Sequence, residues 1–212
     1  MNTNNHYLDA FRQEKEYMRN FGFDPYSKRV NLAIPNAREW LMAGLQSYLG
    51  DDAKWLPAYE EIAEWLTDNH GKGLLLIGTC GLGKTLICQN ILPMIIRRFT
   101  SLIAKAYTAN AMNKNIDKMI GHRVVVVDDL GTEQPETLTY GERRYPFNEL
   151  VDSAERNGSL LIITTNLGTY HAVNKKTGNP IPSIEDRYGI RTLDRLRATT
   201  SVVLLSGESM RH

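Results

Sequence analysis

Eight consecutive residues limit what this chain can fold into more than any others: Gly78, Thr79, Cys80, Gly81, Leu82, Gly83, Lys84 and Thr85, with Leu86 following. They match the spacing Gly-x-x-x-x-Gly-Lys-Thr. They stand between a continuous apolar run, Leu74 to Ile77, and a helical apolar pattern over about 84–98. A strand buried on both faces reads as such a run. A glycine-rich turn leading from it into a helix wraps successive N–H groups around a phosphate. The helix N-terminus adds its partial positive charge. In this arrangement residues 78–86 bind a nucleoside triphosphate, Lys84 reaches the β- and γ-phosphates, and the Thr85 hydroxyl ligates Mg2+. The expected ligands are ATP and magnesium.

From residue 72 onward, further apolar runs at Leu102–Ala106, Val124–Val127, Leu160–Ile163 and Val202–Leu205 alternate with helical patterns near 109–120, 141–157 and 188–198. That alternation implies an α/β fold with a central parallel five-stranded sheet and right-handed crossovers. The polar segment Asn174–Pro182 reads as an exposed loop. Residues 1–71 form a separate unit with a helical pattern. Pro57, Tyr59, Ile62 and Leu66 mark one helix that stops before Gly71, and Trp40, Trp55 and Trp65 supply an aromatic stripe read as core.

The four-valine strand ends in Asp128 and Asp129. A strand parallel to the first brings Asp128 beside Thr85 to hold magnesium, and Asp129 toward the γ-phosphate to orient or deprotonate the attacking water. Glu133, four residues on, is read as a surface carboxylate with an auxiliary acid as the other possibility. The run at 160–163 continues into Thr164, Thr165 and Asn166, whose amide can bond the attacking water or the γ-phosphate. Residues 186–197 carry Arg187, Arg191, Arg195 and Arg197 against Asp186 and Asp194. They form either a solvated face with pairs such as Asp194 with Arg191 or Arg197, or an arginine offered to a neighbouring subunit's nucleotide.

Read in order, Gly-x-x-x-x-Gly-Lys-Thr, Val-Asp-Asp-Leu-Gly-Thr-Glu, Ile-Thr-Thr-Asn-Leu, Tyr-Gly-Ile-Arg-x-x-Asp-Arg-Leu and Leu-Ser-Gly-Glu-Ser-Met-Arg resemble the DnaC/DnaI-type helicase-loader ATPases and the related IstB transposition helpers of the AAA+ group. The resemblance implies an AAA+ P-loop NTPase core over 72–212, without a C-terminal lid domain, after a helical N-terminal segment over 1–71 that binds a partner and lines part of the nucleotide pocket. It makes Lys84 and Thr85 Walker A, Asp128 and Asp129 Walker B, Asn166 sensor 1, Arg195 the arginine finger (Arg191 or Arg187 being the alternatives) and Arg211 the sensor 2 arginine. It also implies a replicative DNA helicase and single-stranded DNA as partners, and self-assembly into an oligomer or filament with ATP between subunits.

A net charge of +1 gives no global attraction to nucleic acid. Local basic spots remain at Arg97-Arg98, Arg143-Arg144 and Lys175-Lys176. The absence of any long apolar run and the polar start of the chain suggest a cytoplasmic protein with no membrane contact. Cys80 and Cys88 offer no metal site, although Cys80 lies where a helix terminus and a lysine can activate a thiol. Three other functions fit the motifs: an IstB-like helper on duplex DNA, a small-molecule kinase, and an adaptor that binds ATP without hydrolysing it. A kinase would need an acceptor pocket and a lid, and the double aspartate and the Thr-Thr-Asn strand end weigh against it.

Overall fold

A computed structural model describes residues 3–21, 29–139, 141–174 and 177–206. Its centre is a five-stranded, wholly parallel sheet of β1 (Gly73–Gly78), β2 (Ala104–Thr108), β3 (Val124–Leu130), β6 (Leu160–Thr165) and β9 (Thr200–Leu205), in the spatial order β2-β3-β6-β1-β9. The strand carrying Asn166 at its exit, β6, therefore lies between the phosphate-loop strand and the aspartate strand.

Alternation along the strands divides the core in two. Leu74 and Leu76, with Val124, Val126, Leu160 and Ile162, face one side, where α2 (Ala37–Leu49), α3 (Ala58–Thr67) and α4 (Leu92–Phe99) pack. Leu75, with Val125, Val127, Leu161 and Ile163, faces the other. That side is covered by α5 (Ala109–Ile120), α6 (Pro146–Asn157), α7 (Ile184–Tyr188) and α8 (Ile190–Thr199).

Residues 30–66 share the first of these cores. Val30, Leu32 and Ile34 are buried in an extended segment, and Tyr59, Ile62 and Leu66 of α3 are fully buried. Asn69 pins the segment: its Oδ1 accepts from the Leu32 N–H at 2.7 Å, and its Nδ2 donates to the Val30 and Lys72 carbonyls at 2.9 and 2.8 Å. Trp65 belongs to this core, its Nε1–H donating to the Lys72 and Gly73 carbonyls. By contrast α1 (Thr3–Asn20) carries exposed aromatic side chains, among them Tyr7 and Phe11.

Four boundaries differ from the sequence expectation, each for a local reason. The helix expected over 141–157 begins only at Pro146, a residue suited to a first turn; before it β4 (Thr137–Thr139) and β5 (Glu142–Arg144) form an antiparallel hairpin. The helix expected over 188–198 is two helices parted at Gly189, whose φ is +85°. In the 174–182 region, β7 (Ala172–Val173) and β8 (Pro180–Ile181) pair as short exposed strands. After the phosphate loop the chain makes a π-helical turn, Leu86–Ile91, with the Leu92 N–H bonded to the Ile87 carbonyl. Pro93, which has no N–H to continue the ladder, follows directly.

Replacing Asn69 with Ala removes the polar pin between the extended segment and β1. The expected loss of stability is about 3 kcal/mol, measured as a fall in the urea unfolding midpoint with unchanged slope.

Candidate nucleotide site

Because all five strands run the same way, the exits of β1, β3 and β6 open on one edge of the sheet, where α/β folds bind ligands. The loop after β1 curves through Gly81 (φ +89°) and Gly83 (φ +75°). Gly78 is required for another reason: a Cβ there would lie 2.4 Å from the Leu205 carbonyl oxygen of β9. Leu82 turns its side chain into the core, and its carbonyl accepts a 3.1 Å hydrogen bond from the Tyr59 hydroxyl. The helical segment before the sheet thus supports the loop from behind.

Lys84 is buried, with Nζ donating to the carbonyls of Gly78 and Thr79 (2.8 Å each) and to Asn166 Oδ1 (2.9 Å). Burial lowers its pKa from the ordinary lysine value, with Cys80, Asp129 and Asp128 opposing the shift. The sequence-predicted Lys84 and Asn166 therefore meet, 82 residues apart in the chain. Asp128 is also buried. Its Oδ1 accepts from the Thr85 hydroxyl (3.2 Å) and the Thr164 hydroxyl (2.6 Å), and its Oδ2 from Gln89 Nε2 (2.8 Å).

Asp129 is placed by an irregularity. Val127 pairs with Ile163 and Leu130 with Thr165, so two residues of β3 stand opposite the single Thr164 of β6. This bulge breaks the strand alternation and re-aims the acids. Asp129 takes a left-handed φ of +56°, and its N–H donates to Thr164 Oγ1 at 2.9 Å. Its exposed side chain lines a cleft of about 640 Å³ with Cys80, Gly81, Gly83, Lys84, Thr85 and Asn166. Leu49 and Leu86 add apolar wall to the same cleft, and Asn90 and Thr132 add polar groups.

These groups suit a magnesium nucleotide. The cleft has an ammonium, a helix N-terminus and glycine-turn amides at one end and apolar wall elsewhere. Thr85 and Asp128 form the sparse donor set that Mg2+ uses when phosphates complete its shell. No cluster of three or more His, Cys, Asp or Glu suited to a metal occurs among the described residues.

Other expected residues fall elsewhere. Arg195 is tied to α6, where its guanidinium donates to Asp152 and lies 3.2 Å from Glu155. Arg197 reaches the Tyr170 hydroxyl and lies over that ring rather than pairing with Asp194. Arg187 donates to the Glu133 carbonyl. Arg191 is exposed, in the first turn of α8. Arg211 and Lys175-Lys176 lie outside the described residues. Glu133, expected at the surface, is buried. Arg144 is held by Asp117 and Glu149, which removes it from the free basic spots, and Arg143 pairs with Glu136; Arg97 and Arg98 remain exposed. Cys80 is exposed on the loop and Cys88 buried.

Two side chains that hold the acids, Gln89 and Thr164, have no role assigned from sequence. Gln89 had a legible signal, since it follows Thr85 by four and so shares its helix face. Thr164 had none until the strand order was known.

A glycine-rich phosphate loop, an aspartate-bearing strand and a third strand inserted between them define a P-loop NTPase fold of the additional-strand type. The RNA helicase family model matches residues 74–167, from β1 to just beyond Asn166. No curated protein matches. Among solved structures, the chain is similar to the DnaC helicase loader (14% identity, TM-score 0.47, covering 82% of this chain and 93% of that one). It is also similar to DnaI (17%, 0.48, 84% and 86%) and to AMPPCP-bound DnaA from Aquifex aeolicus (16%, 0.46, 70% and 45%). Among the described residues no helix is long and apolar enough to cross a membrane.

Replacing Thr164 with Val keeps the shape but strands the Asp129 N–H and removes a donor from Asp128. The expected cost is about 1–3 kcal/mol, read from urea unfolding of the purified protein.

Proposed function

We propose that this chain is a magnesium-dependent ATPase that serves DNA replication as a helicase loader, acting on a replicative helicase and single-stranded DNA. The observation that carries the reading is the convergence of Lys84, Thr85, Asp128, Asp129 and Asn166 at the exits of three parallel strands. Bound magnesium supplies charge neutralisation at the phosphates. Thr85 and Asp128 hold it, Lys84 binds the β- and γ-phosphates, and Asn166 orients the γ-phosphate end. Asp129, exposed in the cleft, orients the attacking water and accepts its proton.

Self-assembly completes the site with an arginine in trans, and we assign that role to Arg191 rather than Arg195. The guanidiniums of Arg187, Arg195 and Arg197 all have partners within the chain, whereas Arg191 is exposed and has no polar partner among the described residues. Two features support macromolecular partners. Tyr7, Phe11 and Phe21 are exposed in and just after α1, a surface a helicase subunit would cover. Arg97 and Arg98 keep a basic spot beside Met94 and Ile103 for a nucleic-acid backbone. The helicase family match over the site favours a nucleic-acid-linked ATPase over a small-molecule kinase.

The test is ATP hydrolysis with magnesium, with and without single-stranded DNA. Lys84→Ala and Arg191→Ala are each expected to lower kcat by about 10²-fold or more. Mixing the two inactive chains should restore part of the activity. Arg195→Ala should lower the thermal midpoint and give no such complementation. Tight ATP binding without turnover in the wild type would instead support the adaptor reading, and a preference for duplex DNA the transposition helper.

A further inference from the structure

Glu133 is the buried acid that the nucleotide site leaves unexplained. Its side chain is 1% exposed, and both oxygens are in use. Oε2 accepts from the Gly131 N–H at 2.9 Å, and Oε1 accepts from the Tyr188 hydroxyl, with Arg187 Nε 3.7 Å away. Arg187 also donates to the Glu133 backbone carbonyl and, through Nε, to the Tyr188 hydroxyl at 3.2 Å. Tyr188 packs on Phe147 with ring centroids 4.6 Å apart. Burial, then the bond to Glu133, raises the Tyr188 pKa well above the ordinary value, so the hydroxyl remains a donor.

The two ends of this network belong to different parts of the machinery. On one side is the turn that sets Asp129: the Thr132 hydroxyl donates to the Asp129 carbonyl at 2.9 Å, and Gly131 takes φ +107° against Leu167, the residue after Asn166. On the other side Tyr188 ends α7, and Gly189 and α8 with Arg191 follow. A buried carboxylate is costly unless every oxygen is paired. Here the pairing is complete, and it joins elements 55 residues apart.

We infer that Glu133 is a positioning residue that locks the Asp129 turn to the base of the arginine helix. A nucleotide engaging Asp129 in one chain then also sets the arginine that this chain offers to its neighbour. The inference rests on the nucleotide reading above. A glutamine at this position has one acceptor oxygen; with it on the Gly131 N–H, the amide NH2 faces the Tyr188 hydroxyl, and the charge-assisted bond from that hydroxyl is lost. Tyr188→Phe removes the hydroxyl's bonds to Glu133 and from Arg187 and leaves the Gly131 contact in place.

Hydrogen–deuterium exchange on the full chain tests it, with and without Mg2+ and a non-hydrolysable ATP analogue. In wild type the analogue is expected to slow exchange over 78–86, 129–133 and 184–191 together, by about tenfold. In Glu133→Gln the slowing over 78–86 persists and that over 184–191 is lost. In Tyr188→Phe the slowing persists over both 78–86 and 129–133 and is lost only over 184–191, a pattern that general destabilisation does not produce. If Glu133→Gln fails to fold, the Tyr188→Phe pattern decides alone. An unchanged response at 184–191 in the folded variants overturns the coupling, as does a wild type that responds at 78–86 but not at 184–191. No response at 78–86 in wild type sinks the nucleotide reading and the coupling with it.

Discussion

The Thr164 hydroxyl connects the two acids of the site, and the geometry of this edge of the sheet depends on it. It donates to Asp128 Oδ1 and accepts from the Asp129 N–H. Successive side chains on a regular strand point to opposite faces. Adjacent aspartates could then not serve one site. The bulge opposite Thr164 resolves this, at the cost of a left-handed Asp129, of order 1–3 kcal/mol for a residue other than glycine. The hydroxyl offsets part of that cost by satisfying the strained N–H. Thr164 reaches both acids because β6 pairs directly with β3, and β6 also pairs with β1, so the sheet order and the chemistry are one constraint.

The phosphate loop depends on the chain before it in a similar way. Its curvature places the Leu82 side chain in the core and leaves its carbonyl facing inward, where water cannot reach it. Tyr59 of α3 supplies the donor. Burial raises the Tyr59 pKa to about 12, so that donor keeps its proton across the ordinary pH range. Asn69 and Trp65 then fix α3 and the extended segment to β1 through backbone carbonyls and an N–H. Residues 30–66 are therefore part of the body that shapes the loop, and Leu49 of α2 reaches the cleft itself.

The parallel sheet and the convergence of Lys84, Asp128 and Asn166 were legible in the sequence, because each strand is a continuous apolar run whose polar exit is forced to one edge. Thr85 beside Asp128 followed from the same logic. Less legible were features set by pairing between segments. The bulge depends on register between β3 and β6, which no local pattern reveals. The hairpin before Pro146 reads as helix because its hydrophobic spacing is short and ambiguous, and only Gly141 in its turn and Pro146 after it mark it. Glu133 was read as a surface acid because charge normally marks the surface; its burial depends on Tyr188 and Arg187, more than fifty residues away.

The arginines show most clearly where a motif stops and geometry begins. Four lie between 187 and 197, and by charge alone they are equivalent. Arg187 and Arg195 sit on carboxylates and Arg197 on a tyrosine, so each has a reason to exist within one folded chain. Among the described residues Arg191 has no such partner, and its location is electrostatically poor: it stands at the positive end of α8, in a first turn without an acid. A cation there loses a few tenths of a kcal/mol up to about 1 kcal/mol relative to the other end. On the proposed reading, this placement is explained by an anion that a neighbouring chain brings to it. The terminal phosphate of a bound nucleotide has that charge.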